Sequence, residues 1–311
     1  MPQEKPKRII QKVVYQCLGY REGERILLIT DDSLKDLAEY FYHGIKTLGV
    51  EVILLRIIPR RIHGEEPPPE VAAALRTTDI ALLITEKSLS HTRARQKACR
   101  KYGVRIASLP GITIDILNRS IDIDYKTMQA QAKKLARKLS CANEVRIKTK
   151  LGTDLTMSIK GRKALEDNGL YVKNGAFGNL PAGEVCIAPV EGTTEGTLIV
   201  DASFSSIGKL DKPIKVEIKD GYARKINDAR LKRTLSGLGK SALNIAEFGL
   251  GLNPKARVSG NILEDEKALN TAHIALGDNL SFAGRVKAKC HLDGVFLNPI
   301  VYLDNKKLTV S

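Results

Sequence analysis

Histidine is used only five times in 311 residues, and two of the five fall in the last forty, close to carboxylates. His291-Leu292-Asp293 lies in Arg285 to Val295, where Val286, Ala288, Cys290 and Leu292 alternate with polar residues, the period-two pattern of a half-buried strand. On such a strand His291 and Asp293 share a face. An imidazole and a carboxylate projecting side by side can ligate one divalent cation, although an HxD triplet standing alone is more often a polar strand end. His273 sits upstream between apolar residues in Thr271 to Asn279, where a satisfied core histidine is the plainer reading. Glu247 is embedded in the mostly apolar, glycine-rich run Asn244 to Pro254. An unpaired carboxylate is costly there, so it needs a partner such as a cation. Glu184, in Asn179-Leu180-Pro181-Ala182-Gly183-Glu184-Val185, is another acid among apolar neighbours, or else a polar strand end. Glu264-Asp265-Glu266-Lys267 reads as a solvated acidic helix start.

The elements that must carry these residues change character along the chain. A first amphipathic helix (Ile9, Ile10, Val13, Val14, Cys17) is followed by apolar runs at 25–30, 50–58, 79–85 and 105–109, separated by helical patterns at 33–48, 70–76 and 91–102. Near-continuous apolar strands alternating with helices predict an open, mostly parallel α/β sheet of flavodoxin-like or Rossmann-like type over residues 1–140. A Lys/Gln/Ala-rich helix spans 125–142, and beyond it the pattern becomes alternating strands with Gly and Asn turns. Hairpins are expected over 145–159 and 215–226, with a helix at 227–235. Residues 141–311 thus read as a β-rich α+β domain carrying the candidate metal site. The loop 59–69, with three consecutive prolines, reads as a stiff surface connection.

Composition narrows the function classes. There are 50 Lys+Arg against 35 Asp+Glu, a formal charge of +15, and 43% of residues are hydrophobic, an ordinary globular mix. The N-terminus lacks a signal-peptide core and no window approaches about 18 uninterrupted apolar residues. The five cysteines form no CxxC pair, which argues against a disulfide framework or zinc ribbon and for a reduced, cytoplasmic protein. No Gly-rich turn follows the first strand, which disfavours NAD; Gly237-Leu238-Gly239-Lys240-Ser241 lacks the first glycine of a phosphate loop; and neither GxSxG nor HExxH occurs.

The segments Asn179 to Val185, Ala246-Glu247, Thr271 to Gly277 and His291-Leu292-Asp293 together resemble the aminopeptidase T (leucyl aminopeptidase) family of metallopeptidases. The resemblance is carried by the C-terminal half. It implies two divalent metals held by Glu184, Glu247, His273, His291 and Asp293, with zinc, cobalt or manganese as the ion, a peptide or small-molecule substrate and a homodimer. It also implies Glu247 or Glu266 as the general base of a peptide hydrolase. Two positions depart from the family: Ala268 stands where it has a glutamate, and Leu280 where it has a tyrosine. A related iron-dependent dioxygenase that opens dihydroxypyridine rings uses a His, His, Asp set, which His273, His291 and Asp293 fit equally well.

The leading expectation is therefore a metallo-aminopeptidase, with the iron-dependent ring-cleaving dioxygenase as the alternative. A third is a non-catalytic basic binding protein using Arg93, Arg95, Lys97, Arg100 and Lys101 on one helix and Lys133, Lys134, Arg137 and Lys138 on another, although such runs are usually solvated faces. With Trp absent and no aromatic motif among the charges, nucleic acid is disfavoured. His91, at the start of a basic helix, is a candidate substrate contact or simply a polar helix start. His43 and His63 receive no function.

Overall fold

The computed structural model describes residues 4–309. Contacts divide the chain into two compact units: Met1–Tyr125 with Gly169–Ala182, and Lys126–Asn168 with Gly183–Ser311. The first contains a five-stranded, wholly parallel sheet in the order Val52–Ile57, Ile26–Asp31, Ile80–Ile84, Arg105–Ser108, Phe177–Asn179. Its central strands are buried along their whole length, as expected where helices cover both faces of a parallel sheet. Helices Lys35–Lys46, Pro69–Ala74 and Arg93–Tyr102 fall where the apolar periodicity places them. Thr92 caps the last of these by accepting the Arg95 N–H. The short helix Ile114–Ser120 is not visible in the periodicity; its start is marked by the Thr113 cap. The first helix is α-helical over Glu4–Gln11 and continues as a π-helix over Lys12–Cys17, burying Val13, Val14 and Cys17.

The second unit is built from two antiparallel seven-stranded sheets. One runs Tyr222–Ile226, Ile214–Lys219, Glu195–Val200, Asp154–Ser158, Glu144–Lys148, Ile300–Leu303, Lys306–Lys307. Both expected hairpins are in it. Its strands alternate buried and exposed residues, as in Ile214–Lys219, so one face turns inward. The other sheet runs Gly208–Lys209, Ser203–Phe204, His291–Leu297, Thr271–Gly277, Ile245–Gly251, Glu184–Ile187, Leu165–Asp167. A single apolar cluster draws on both sheets and on Ala132, Leu135 and Leu139 of the helix Tyr125–Cys141. The fold is thus an α/β unit with a parallel sheet plus a β-rich unit. Among the described residues no helix is long and apolar enough to cross a membrane.

Candidate metal centre

Four adjacent antiparallel strands of the second sheet make the site. Ala275 lies opposite Glu247 on one side and Asp293 on the other; His273 lies opposite Gly249 and Val295; Gly251 pairs with Glu184 and Gly277 with His291. Period two then sends Val185, Ile187, Phe248, Leu250, Ile274, Leu276 and Phe296 into the apolar cluster and leaves Glu184, Glu247, His273, His291 and Asp293 on the opposite face. A bulge between Ile245 and Glu247 makes this register work, because two residues there oppose one step of the neighbour and the carboxylate is re-aimed. The cross-strand partners on the site face are small. A Cβ on Gly249 would lie 2.1 Å from His273 Cε1, so the imidazole lies across bare backbone that no other residue would provide.

The side chains converge as the register requires. His291 Nε2 is 2.9 Å from Glu247 Oε2 and 3.4 Å from Asp293 Oδ1, and His273 Nε2 is 3.5 Å from Glu247 Oε1 and 3.7 Å from Glu184 Oε2. Glu247 therefore spans the two imidazoles. His291 Nδ1 donates to the Asp278 carbonyl at 2.7 Å, and its ring stacks on Phe282 with centroids 5.1 Å apart. That outer contact fixes Nε2 as the nitrogen facing the carboxylates. Two groups of ligand atoms come within 4.8 Å of one another: Glu247, His273 and Asp293, and Glu184, Glu266 and His273. Glu184 Oε2 and His273 Nδ1 are buried without a hydrogen-bond partner. A carboxylate oxygen left in that state is costly, and a cation bound beside it removes the cost. The donor set of two imidazoles and several carboxylates suits a divalent transition metal.

The acidic segment corrects the expectation of a solvated helix start. Glu264, Asp265 and Lys267 are all buried. Asp265 and Glu264 tie down the preceding loop, accepting from Ser259 and Gly260 N–H and from Arg257 N–H. Ala268 is buried, its carbonyl accepting the Thr271 hydroxyl, while Leu280 is 48% exposed on a short 3-10 helix. Lys267, which the sequence did not single out, contacts Glu184, lies 2.8 Å from Glu266 and 3.7 Å from Asp167. Its Glu-Asp-Glu-Lys context resembles any surface charge run, so no local signal marks it. Cys186 is buried on the same face, opposite Gly249, and burial together with Glu247 and Glu184 pushes its thiol well up.

The electrostatics follow from burial and pairing. Burial pushes Glu184 up, against the pull of Lys267 and His273, and carries Glu266 to about 8. Burial acts against the charged form of Glu247 too, yet hydrogen bonds from His273 and His291 outweigh it and hold the carboxylate well below its ordinary range. Asp293 is held down in the same way, chiefly by His291. Burial would lower both imidazoles, but the surrounding carboxylates dominate and raise His273 to about 9 and His291 well above its ordinary value.

The other candidates have ordinary settings. His43 pairs with Glu39 on a surface helix, His63 Nδ1 accepts the Ser88 N–H, and His91 is exposed just before the capping Thr92. Of the basic runs, Lys133, Lys134 and Arg137 are exposed. Arg95 instead donates to the Ser90 carbonyl and lies 3.9 Å over the Phe177 ring.

Comparison with known proteins gives a consistent assignment. The model of a family described as 2,5-dihydroxypyridine 5,6-dioxygenase matches residues 8–311. A Pseudomonas putida KT2440 protein named 2,5-dihydroxypyridine 5,6-dioxygenase is 24% identical over 262 residues, 77% of this chain and 72% of that protein. Among solved structures, 2,5-dihydroxypyridine dioxygenase from the same organism superposes with a TM-score of 0.83 at 18% identity, covering 98% of this chain and 95% of that one. Wild-type AmpT from Thermus thermophilus superposes at 0.72 and 14% identity, covering 99% and 98%. The likeness to AmpT is one of fold. The expectation of a metallo-aminopeptidase, a peptide hydrolase and protease, is overturned by the family match. The two departures are a buried alanine at 268 and an exposed leucine at 280.

Proposed function

The chain belongs to the 2,5-dihydroxypyridine 5,6-dioxygenase family, and from that premise we propose that it is an iron-dependent dioxygenase that opens a hydroxylated nitrogen-containing aromatic ring. The observation that carries the reading is the convergence of His273, His291 and Asp293 on one sheet face, with Glu247 spanning the imidazoles. Two imidazoles and one carboxylate form the ligand set of non-haem ferrous oxygenases, and here they would hold the iron. When bound, that ion supplies Lewis acidity toward a ring hydroxyl and the electrons that dioxygen chemistry needs.

The chain's own groups prepare the site. Glu247, held ionised, balances the charge of the ion and orients both rings. Its role as a general base, inferred with the peptidase reading, is set aside, because a carboxylate so far below neutrality is a weak base. Glu266, carried to about 8 by burial, is the group that can exchange a proton with a substrate hydroxyl near neutral pH. The cleanest test is anaerobic loading with ferrous iron followed by oxygen-electrode measurements with 2,5-dihydroxypyridine and other dihydroxylated pyridines. Chelator-sensitive, substrate-dependent oxygen uptake with loss of the ring absorbance is expected. Full ferrous occupancy without uptake on any of these rings would overturn the proposal.

A further inference from the structure

We infer that Lys267 is the built-in second cation of this centre, so that the site takes one divalent ion where its acidic residues could otherwise hold two. The inference rests on the metal-dependent reading of the same site. The two converging groups of ligand atoms, Glu247–His273–Asp293 and Glu184–Glu266–His273, share His273, which is the arrangement of two neighbouring half-sites. They differ in what neutralises them. Among the described residues the carboxylates of Glu247 and Asp293 form their ion pairs with imidazoles. In the other half-site the ammonium of Lys267 contacts one oxygen of Glu184 and lies 2.8 Å from Glu266 Oε1, with Asp167 at 3.7 Å.

That ammonium is placed by the fold. Lys267 follows the short helix Ile262–Asp265, and its backbone is fixed at both ends: its N–H donates to the Glu264 carbonyl and its own carbonyl accepts the Asn253 N–H. Its side chain is 1% exposed, so water does not screen it, and the carboxyl groups of Glu184, Glu266 and Asp167 surround it in place of water. With Oε1 committed to Lys267, Glu184 keeps only Oε2, which lies on the His273 side, has no hydrogen-bond partner and can serve the single ion. Glu266 is similarly occupied. A second divalent ion in this half-site would have to share two carboxylates with a fixed positive charge at direct contact, where repulsion is strong in a buried setting.

Titration with Mn(II), a redox-stable stand-in, reads the stoichiometry directly by elemental analysis and electron paramagnetic resonance. The wild-type chain is expected to bind one equivalent and show the signal of isolated Mn(II). Lys267→Met, which keeps length but removes the charge, is expected to bind two, with the broadened signal of a coupled pair, and Lys267→Arg to return to one. The double variant Lys267→Met, Glu266→Gln removes the ammonium together with a carboxyl ligand of the same half-site and is expected to bind one, and it stays informative if the single Met variant does not fold. Two equivalents in wild type, one in folded Lys267→Met, or two in the double variant would each overturn the inference. None of these outcomes touches the ring-opening reaction, whose own failure shows as missing oxygen uptake at full occupancy.

Discussion

His273 packs its ring against the bare backbone of Gly249, and this dependence on a missing side chain makes a sharp prediction. Gly249→Ala places a methyl 2.1 Å from His273 Cε1, which forces the ring out of line with Glu247. Metal affinity should fall about 10–100-fold, as for loss of an orienting neighbour, while circular dichroism keeps the wild-type sheet signal. Unchanged Mn(II) affinity would mean that the ring does not need its present place. Protonation gives a second prediction. His273 is raised from its ordinary 6.5 to about 9, so in the metal-free protein its pairing with Glu247 stabilises the fold fully below about pH 6.5 and is lost as pH rises through about 9. Binding an ion displaces that proton. Apparent metal affinity should therefore climb with pH across this window, by about tenfold per unit for each proton displaced, and flatten above it. Isothermal titrations in buffers of different ionisation enthalpy count the protons, and an affinity flat from pH 6.5 to 9 would contradict the assignment.

A strand that serves the core with one face and the candidate metal site with the other can be dissected by adjacent substitutions. In Ile245–Gly251, Phe248 is fully buried in the apolar cluster and Glu247 points to the imidazoles. Phe248→Ala should cost about 3–5 kcal/mol of stability at any pH, measured by urea denaturation, whereas Glu247→Gln should abolish tight metal binding and lower the urea midpoint of the metal-free protein by an amount that shrinks as pH rises through about 9 and His273 loses its proton. Equal destabilisation by both would show that the two faces are not separable. The same strand marks where sequence reading stops. Continuous apolar runs such as 26–31 and 80–84 announce a parallel sheet, and the hairpins follow from alternation and turn residues. Glu247 was noticed as an acid among apolar residues, but its facing depends on a bulge that no residue pattern declares. Glu184 and His273 stand out as polar residues among apolar neighbours, but each alone reads as a core or strand-end residue, and only the family resemblance implies that they ligate a metal. Lys267 escaped because its partners Glu184 and Asp167 are distant in sequence and its neighbours are charged.

Within the whole chain, every candidate ligand and Lys267 belong to the second compact unit, although they come from segments as far apart as Glu184 and Asp293. A site assembled from separated segments exists only when those strands are paired, so ion binding and the folding of this unit are linked. At free metal of about 100 times Kd the linkage amounts to about 2.7 kcal/mol. The stabilisation should be local in hydrogen exchange. Adding Mn(II) should slow amide exchange in Ile245–Gly251, Thr271–Gly277 and His291–Leu297, the strands whose opening would dismantle the site. Amides of Ile26–Asp31 and Ile80–Ile84, in the parallel sheet of the first unit, provide the internal reference and should exchange at unchanged rates. Protection spread evenly over both sets would mean that the ion stabilises the chain through something other than this sheet face. Protection confined to the three site strands, and absent in His291→Ala, would tie the whole-molecule stability gain to the face that Glu247 and the two imidazoles define.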